Sequence, residues 1–102
     1  MFIAIYSFTV VPGKEAEFKE AWVELTKLIY QFENSLGSRL HHEKDEVYIA
    51  YAQWRSKEQW ANSGGNLPEE ANQWRQQMKA ACSEIKTVYE LEVVDDLLAS
   101  NV

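Results

Sequence analysis

Phe2-Ile3-Ala4-Ile5-Tyr6-Ser7-Phe8-Thr9-Val10-Val11-Pro12-Gly13 holds no charged side chain and is β-prone until Pro12-Gly13 stops it. The run is shorter than the ~18–20 residues a bilayer span requires, and it lacks a basic start, so it reads as a strand rather than a membrane segment or signal peptide. Alternation puts Phe2, Ala4, Tyr6 and Phe8 on one face and Ile3, Ile5, Ser7, Thr9 and Val11 on the other. A second stretch behaves alike: Tyr48, Ala50, Ala52 and Trp54 oppose Val47, Ile49, Tyr51 and Gln53. A sheet covered on one side alternates apolar with polar residues, whereas these strands are apolar on both faces.

The elements around them complete the order. Phe18, Ala21, Trp22, Leu25, Leu28, Ile29 and Phe32 recur at helical spacing, which predicts a helix over Lys14–Glu33, with acidic Glu15 and Glu17 in its first turn. Leu36–Glu43, a turn at Lys44-Asp45 and Val47–Trp54 read as a hairpin. Ser56 followed by Gln59 fits a capping box that starts a short helix carrying Trp60. Asn62–Asn66 reads as a flexible loop containing Gly64-Gly65, a candidate hinge. Pro68 opens a helix whose stripe is Ala71, Trp74, Met78, Ala81 and Cys82, and Thr87–Val94 is the last strand before an acidic-leucine tail over 95–102. The order β-α-β-β-α-β implies one α+β domain over 1–102: a four-stranded antiparallel sheet with both main helices on one face.

Two helices cover one face only, so the other calls for a second copy of the chain, a homodimer through the sheet face. An even-length hairpin loop sets His41 opposite Tyr48 and Arg39 opposite Ala50, on the face that also carries Gly37, Ala52 and Trp54; an odd loop swaps one strand's faces. On that face Gly37, Ala4, Ala50 and Ala52 are too small to fill the space under a helix, while Arg39, His41, Tyr6, Tyr48 and Trp54 are large with polar tips. Small floor residues with a few convergent polar groups describe a cavity for a small hydrophobic or aromatic ligand.

Composition narrows the function. Sixteen acidic against ten basic residues, net −6, with no basic cluster, argue against nucleic acid and anionic membranes as partners. A single cysteine excludes an internal disulfide and a cysteine-based metal site, and Cys82 reads as a buried thiol. His41 and His42, adjacent on a strand, point to opposite faces and cannot share a metal, so no metal site is assigned. With no export signal read at its start, the chain is expected in the cytoplasm.

The runs Val11-Pro12-Gly13-Lys14-Glu15 into Phe18, Leu36-Gly37-Ser38-Arg39-Leu40-His41 and Tyr48-Ile49-Ala50-Tyr51-Ala52-Gln53-Trp54-Arg55-Ser56, followed by Trp60, resemble the antibiotic biosynthesis monooxygenase family over nearly the whole chain. The resemblance implies a ferredoxin-like fold paired into a dimeric α/β barrel. It also implies oxidation of an aromatic, phenolic or quinol compound by molecular oxygen without a cofactor. The haem-degrading branch places an Asn on the first strand, a Trp at the end of the third, and an iron-holding His on a helix. Here those places carry Tyr6, Trp54 and Asn72, and an Asn is a poor iron ligand. For cofactor-free chemistry His41 is the candidate proton acceptor and Arg39 the anion stabiliser. Tyr6, Tyr48, Trp54 and Trp60 are the candidate substrate-binding aromatics, with Asn72 or Arg75 closing the site from the helix. The plainer reading makes Trp54 and Trp60 core anchors and the histidines a solvated hairpin end. The competing function is a non-catalytic dimeric module that binds a small hydrophobic molecule.

Overall fold

A computed structural model describes residues 1–99; the last three residues of the expected tail lie outside the described residues. β1 (Phe2–Val10), α1 (Glu15–Glu33), β2 (Ser38–Lys44), β3 (Val47–Trp54), α2 (Lys57–Ala61), α3 (Glu70–Ala80) and β4 (Cys82–Glu92) follow in chain order. The four strands form one antiparallel sheet in the order β2-β3-β1-β4. This is the ferredoxin-like α+β fold.

Local chemistry sets the boundaries. Gly13 takes φ +89°, open to glycine without strain, and its N–H donates to the Glu15 carboxylate at 3.2 Å as α1 begins. α1 ends at Asn34 in the left-handed region, φ 58°. No basic side chain stands in its last turn, so the free Asn34 carbonyl is satisfied from elsewhere, by Arg55 Nη1 at 2.7 Å and Gln59 Nε2 at 3.3 Å. At α2 the Ser56 hydroxyl accepts the Gln59 N–H at 3.1 Å, as the capping box requires. The reciprocal bond lands one residue early: Gln59 Oε1 accepts the Arg55 N–H at 3.2 Å.

The register of β1 on β3 pairs Phe2 with Trp54, Ala4 with Ala52, Tyr6 with Ala50 and Phe8 with Tyr48, so the faces read for these strands are correct. Side chains from α1, α2 and α3 all pack on this face. Two apolar clusters form there. Phe8, Val10, Phe18 and Tyr48 gather at one end; Phe2, Ala4, Ala52 and Trp54 gather at the other.

Three readings are corrected. β2 starts at Ser38 rather than Leu36, because Gly37 at φ +102° turns the chain into the strand. β4 starts at Cys82 rather than Thr87. Ala81 and Cys82 continue the apolar spacing of α3, but the helix stops at Ala80, and the exposed edge position of β4 allows polar residues that hide its alternation. The third correction is the register of β2. The turn occupies Asp45-Glu46, with Asp45 at φ 50° and Lys44 paired to Val47. An uninterrupted ladder from that turn would set His41 opposite Ala50. Glu43 is instead an extra residue, so His42 pairs with Tyr48, His41 with Ile49 and Arg39 with Tyr51. One bulged residue inverts every side chain before it.

Phe18 is fully buried, with its ring centroid 5.1 Å from that of Phe8 and 5.3 Å from that of Tyr48. Phe18→Ala is expected to cost about 3–5 kcal/mol of unfolding free energy, measured by urea denaturation followed by circular dichroism.

Candidate functional site

Between the two clusters the sheet floor is Ala50 and Ala52, and no large side chain descends onto it. A cavity of about 210 Å³ remains. Trp22, Leu25, Thr26 and Ile29 of α1 roof it, at the spacing of one helical face. Tyr6 and Phe8 of β1 and Trp54 of β3 form walls, Met78 of α3 and Ile85 of β4 close one side, and Ser35, Gly37 and Ser38 close the other. The expected hollow exists and Trp22 does not plug it. The sequence reading missed Thr26, Ser35, Ser38, Met78 and Ile85. The helical stripe signalled Met78, Ser38 depended on the β2 bulge and Ile85 on the early start of β4, and polar Thr26 and Ser35 carried no apolar pattern that would mark them.

The nominated residues divide. Tyr6 and Trp54 line the cavity. Trp60 stands behind it: its indole N–H donates to the Tyr6 hydroxyl at 2.6 Å, and its ring lies 5.1 Å from Phe2. Tyr48 is a core residue packed on Phe18. Asn72 is exposed on α3, and Arg75 lines an adjoining groove rather than the cavity. Arg39 and His41, expected on this face, lie on the opposite face of the sheet with Tyr51 and Ile49, inverted by the bulge at Glu43. His41 there sets Nδ1 3.2 Å from the Ile49 carbonyl. His42, on the helix side, is exposed at the hairpin end, with Nε2 2.8 Å from the Asp45 carbonyl. Cys82 opens β4 half-buried instead of ending a helical stripe, and burial pushes its thiol up to about 11.

Two polar groups give the cavity its electrostatic character. Trp54 is 4% exposed, and its indole N–H has no acceptor among the described residues. A buried donor without a partner costs about 1–3 kcal/mol, so this N–H stands to gain from an acceptor that reaches it. The Tyr6 hydroxyl already accepts from Trp60, and its own hydrogen has no acceptor among the described residues. Burial raises its pKa; the Trp60 bond opposes the shift and Glu90 adds to it. Tyr6 is therefore a neutral donor at ordinary pH. No carboxylate or imidazole lines the cavity. Among the described residues no three His, Cys, Asp or Glu side chains gather as metal ligands, and no helix is long and apolar enough to cross a membrane.

A buried carboxylate stands beside the site. Glu33, 6% exposed, accepts the Gly64 N–H at 2.6 Å, the Asn66 N–H at 3.0 Å and Asn66 Nδ2 at 3.3 Å. The loop read as flexible is thus fastened to the end of α1. No residue pattern marks it, because Glu33 occupies an ordinary helix-end position.

The sequence profile of the family described as antibiotic biosynthesis monooxygenase matches residues 1–81. Several solved structures share the fold. SnoaB, a cofactor-independent oxygenase from Streptomyces nogalater, is 16% identical with a TM-score of 0.73, over 94% of this chain and 95% of its own. An antibiotic biosynthesis monooxygenase-type protein from Caulobacter crescentus is 18% identical with a TM-score of 0.76, over 92% of this chain and 90% of its own. Another from Deinococcus radiodurans is 10% identical with a TM-score of 0.75, over 99% and 100%. Among curated proteins none matches.

Tyr6→Phe leaves the Trp60 N–H without its acceptor and is expected to cost about 1–2 kcal/mol at neutral pH. The folded-state pKa of Tyr6 lies above its ordinary value of 10.0. Its contribution is whole below that value and is lost as pH rises through the folded pKa, because the unfolded tyrosine releases its proton first. Urea midpoints across the alkaline range should fall less steeply in Tyr6→Phe than in the parent.

Proposed function

The chain belongs to the antibiotic biosynthesis monooxygenase family, and on that premise we propose that it is a cofactor-independent monooxygenase oxidising a small phenolic or quinol compound with molecular oxygen. The observation that carries this reading is a mostly apolar cavity walled in part by Trp54, whose buried indole N–H has no acceptor among the described residues. Trp22, Phe8 and Trp54 offer flat surfaces to an aromatic ring. The Trp54 and Tyr6 donors suit an oxygen that carries negative charge, in a site from which a bound ring displaces water. SnoaB, of the same fold, is a cofactor-independent oxygenase.

The chemistry asks little else of the protein. A phenolate or enolate passes one electron to O2, and the resulting carbon radical and superoxide join through a carbon–oxygen bond. At a carbon that carries hydrogen, the protonated hydroperoxide loses water and leaves a carbonyl. One oxygen atom stays in the product and the other leaves as water. No general base lines the cavity, so the substrate is taken up as its anion and the two donors lower its pKa in place. This role replaces the one first assigned to His41 and Arg39.

The same reading joins two copies through the outer sheet face. Ile5, Ile49 and Tyr51 lie there with Tyr89, 59% exposed, and Leu91, 46% exposed, and no helix packs against them. Arg39 and His41 belong to that face.

The lack of a base among the cavity residues favours a second reading, a binding module without turnover. Oxygen uptake with a panel of phenols, naphthols and quinols, corrected for spontaneous oxidation, separates the two. Uptake is expected to fall roughly tenfold to hundredfold in Trp54→Phe. Ligand binding with no uptake from any member of the panel would establish the module. Light scattering is expected to give twice the chain mass, and Tyr89→Glu is expected to shift the population towards single chains.

A further inference from the structure

We propose that the groove between α3 and β4 is the access vestibule of the cavity, and that Arg75 and Lys79 on its rim select aromatic ligands bearing a carboxylate. The proposal rests on the reading of the cavity as a ligand site and adds the class of ligand.

The groove adjoins the cavity. Leu25, Met78 and Ile85 line both hollows, so these side chains stand between them. Met78 is unbranched with three rotatable side-chain bonds, and Ile85 is 40% exposed, so the partition is thin and one of its members swings readily. Beyond it the groove opens to about 540 Å³.

The rim carries net positive charge on a chain of net −6. Arg75 and Lys79 stand one helical turn apart on α3 and both line the groove. Neither makes an ion pair among the described residues. The carboxylate that lines the groove, Glu84, pairs with Lys86 at 3.6 Å. Glu84 and Lys86 face Thr9 and Ser7 across the ladder, which sets both on the outer side of the sheet. Cys82 in the groove keeps its proton at neutral pH, since burial pushes its thiol up to about 11. Arg75 is half-buried, and a Cβ added at Gly64 would stand 3.7 Å from its Nη2, so its guanidinium rests against the loop that Glu33 fastens.

A second hollow meets the cavity at Thr26, Gly37 and Ser38, between α1 and β2. Its one cation, Lys27, is paired with Glu24 at 3.3 Å, so this opening offers no free charge to an anion. Of these two openings, the α3–β4 groove is the one with unpaired cations to tell a carboxylate from a neutral ring.

The test compares 2-naphthol with 3-hydroxy-2-naphthoate by isothermal titration calorimetry at low and at moderate salt. The carboxylated probe is expected to bind about five- to tenfold more tightly at low salt, with the advantage shrinking as salt is added. Arg75→Gln with Lys79→Gln should remove that advantage while leaving 2-naphthol affinity unchanged, which also shows that the variant is folded. Lys27→Gln should leave the advantage intact. An absent preference, or one that survives the double variant or disappears in Lys27→Gln, overturns the proposal while the cavity reading stands. Failure of both probes to bind the parent protein overturns the cavity reading and this proposal with it.

Discussion

The shape of the molecule depends on a row of small side chains down the middle of the sheet. Ala4 faces Ala52 and Ala50 faces Tyr6, so methyl groups occupy the ground over which α1 passes. Large rings stand at the two ends. Phe8, Phe18 and Tyr48 fill one, and Phe2 with Trp60 fills the other at 5.1 Å. These ends prop the helix off the floor, and the space between them is not recovered by collapse, because close-packed clusters resist compression. Tyr6 packs against both clusters, and its hydroxyl lies where they part. A core built as two halves with a hollow between forgoes some packing energy to keep an open volume.

That much was legible in the residues. Strand alternation is a period of two, and β1 and β3 carry it without interruption, so their faces and the small floor could be read directly. Two elements were not legible, for different reasons. In β2 one additional residue at Glu43 reverses the side-chain direction of everything before it. No property of the residue type marks it, because a bulge is chosen by how turn and ladder close together. The loss fell on the residues assigned the chemistry, Arg39 and His41. In β4 the signal was masked at both ends. Ala81 and Cys82 extend the helical spacing of α3, and an edge strand exposed along nearly its whole length admits Ser83, Glu84 and Lys86 without penalty.

The correction to β2 changes the chemistry proposed for the cavity. With His41 on the far face, its polar atoms of note are two donors, and the tendency of a low-dielectric site to neutralise charge is met by hydrogen bonds instead of by a base. Trp54 and Tyr6 act differently within that pair. The Trp54 donor has no partner among the described residues. The Tyr6 hydroxyl is held by Trp60, which depends on α2, which depends in turn on the Ser56 cap. A substitution at Ser56 therefore reaches the cavity through α2, Trp60 and the Trp60–Tyr6 hydrogen bond.

Glu33 completes this chain of support from the other side. A carboxylate in the last turn of a helix sits at the unfavourable end of the helix dipole, and burial adds a desolvation cost. Its retention makes physical sense only through what it binds, two backbone amides and one side-chain amide from the 62–66 loop. Those bonds hold the loop that joins α2 to α3 against the end of α1, and so help place the start of α3. α3 carries Met78 in the cavity wall and Arg75 in the groove beside it. The loop's glycines supply the conformations the path needs, Gly64 at φ +107°, while the buried carboxylate removes the freedom they would otherwise bring. A segment that composition marks as a hinge is in this way the anchor of one cavity wall.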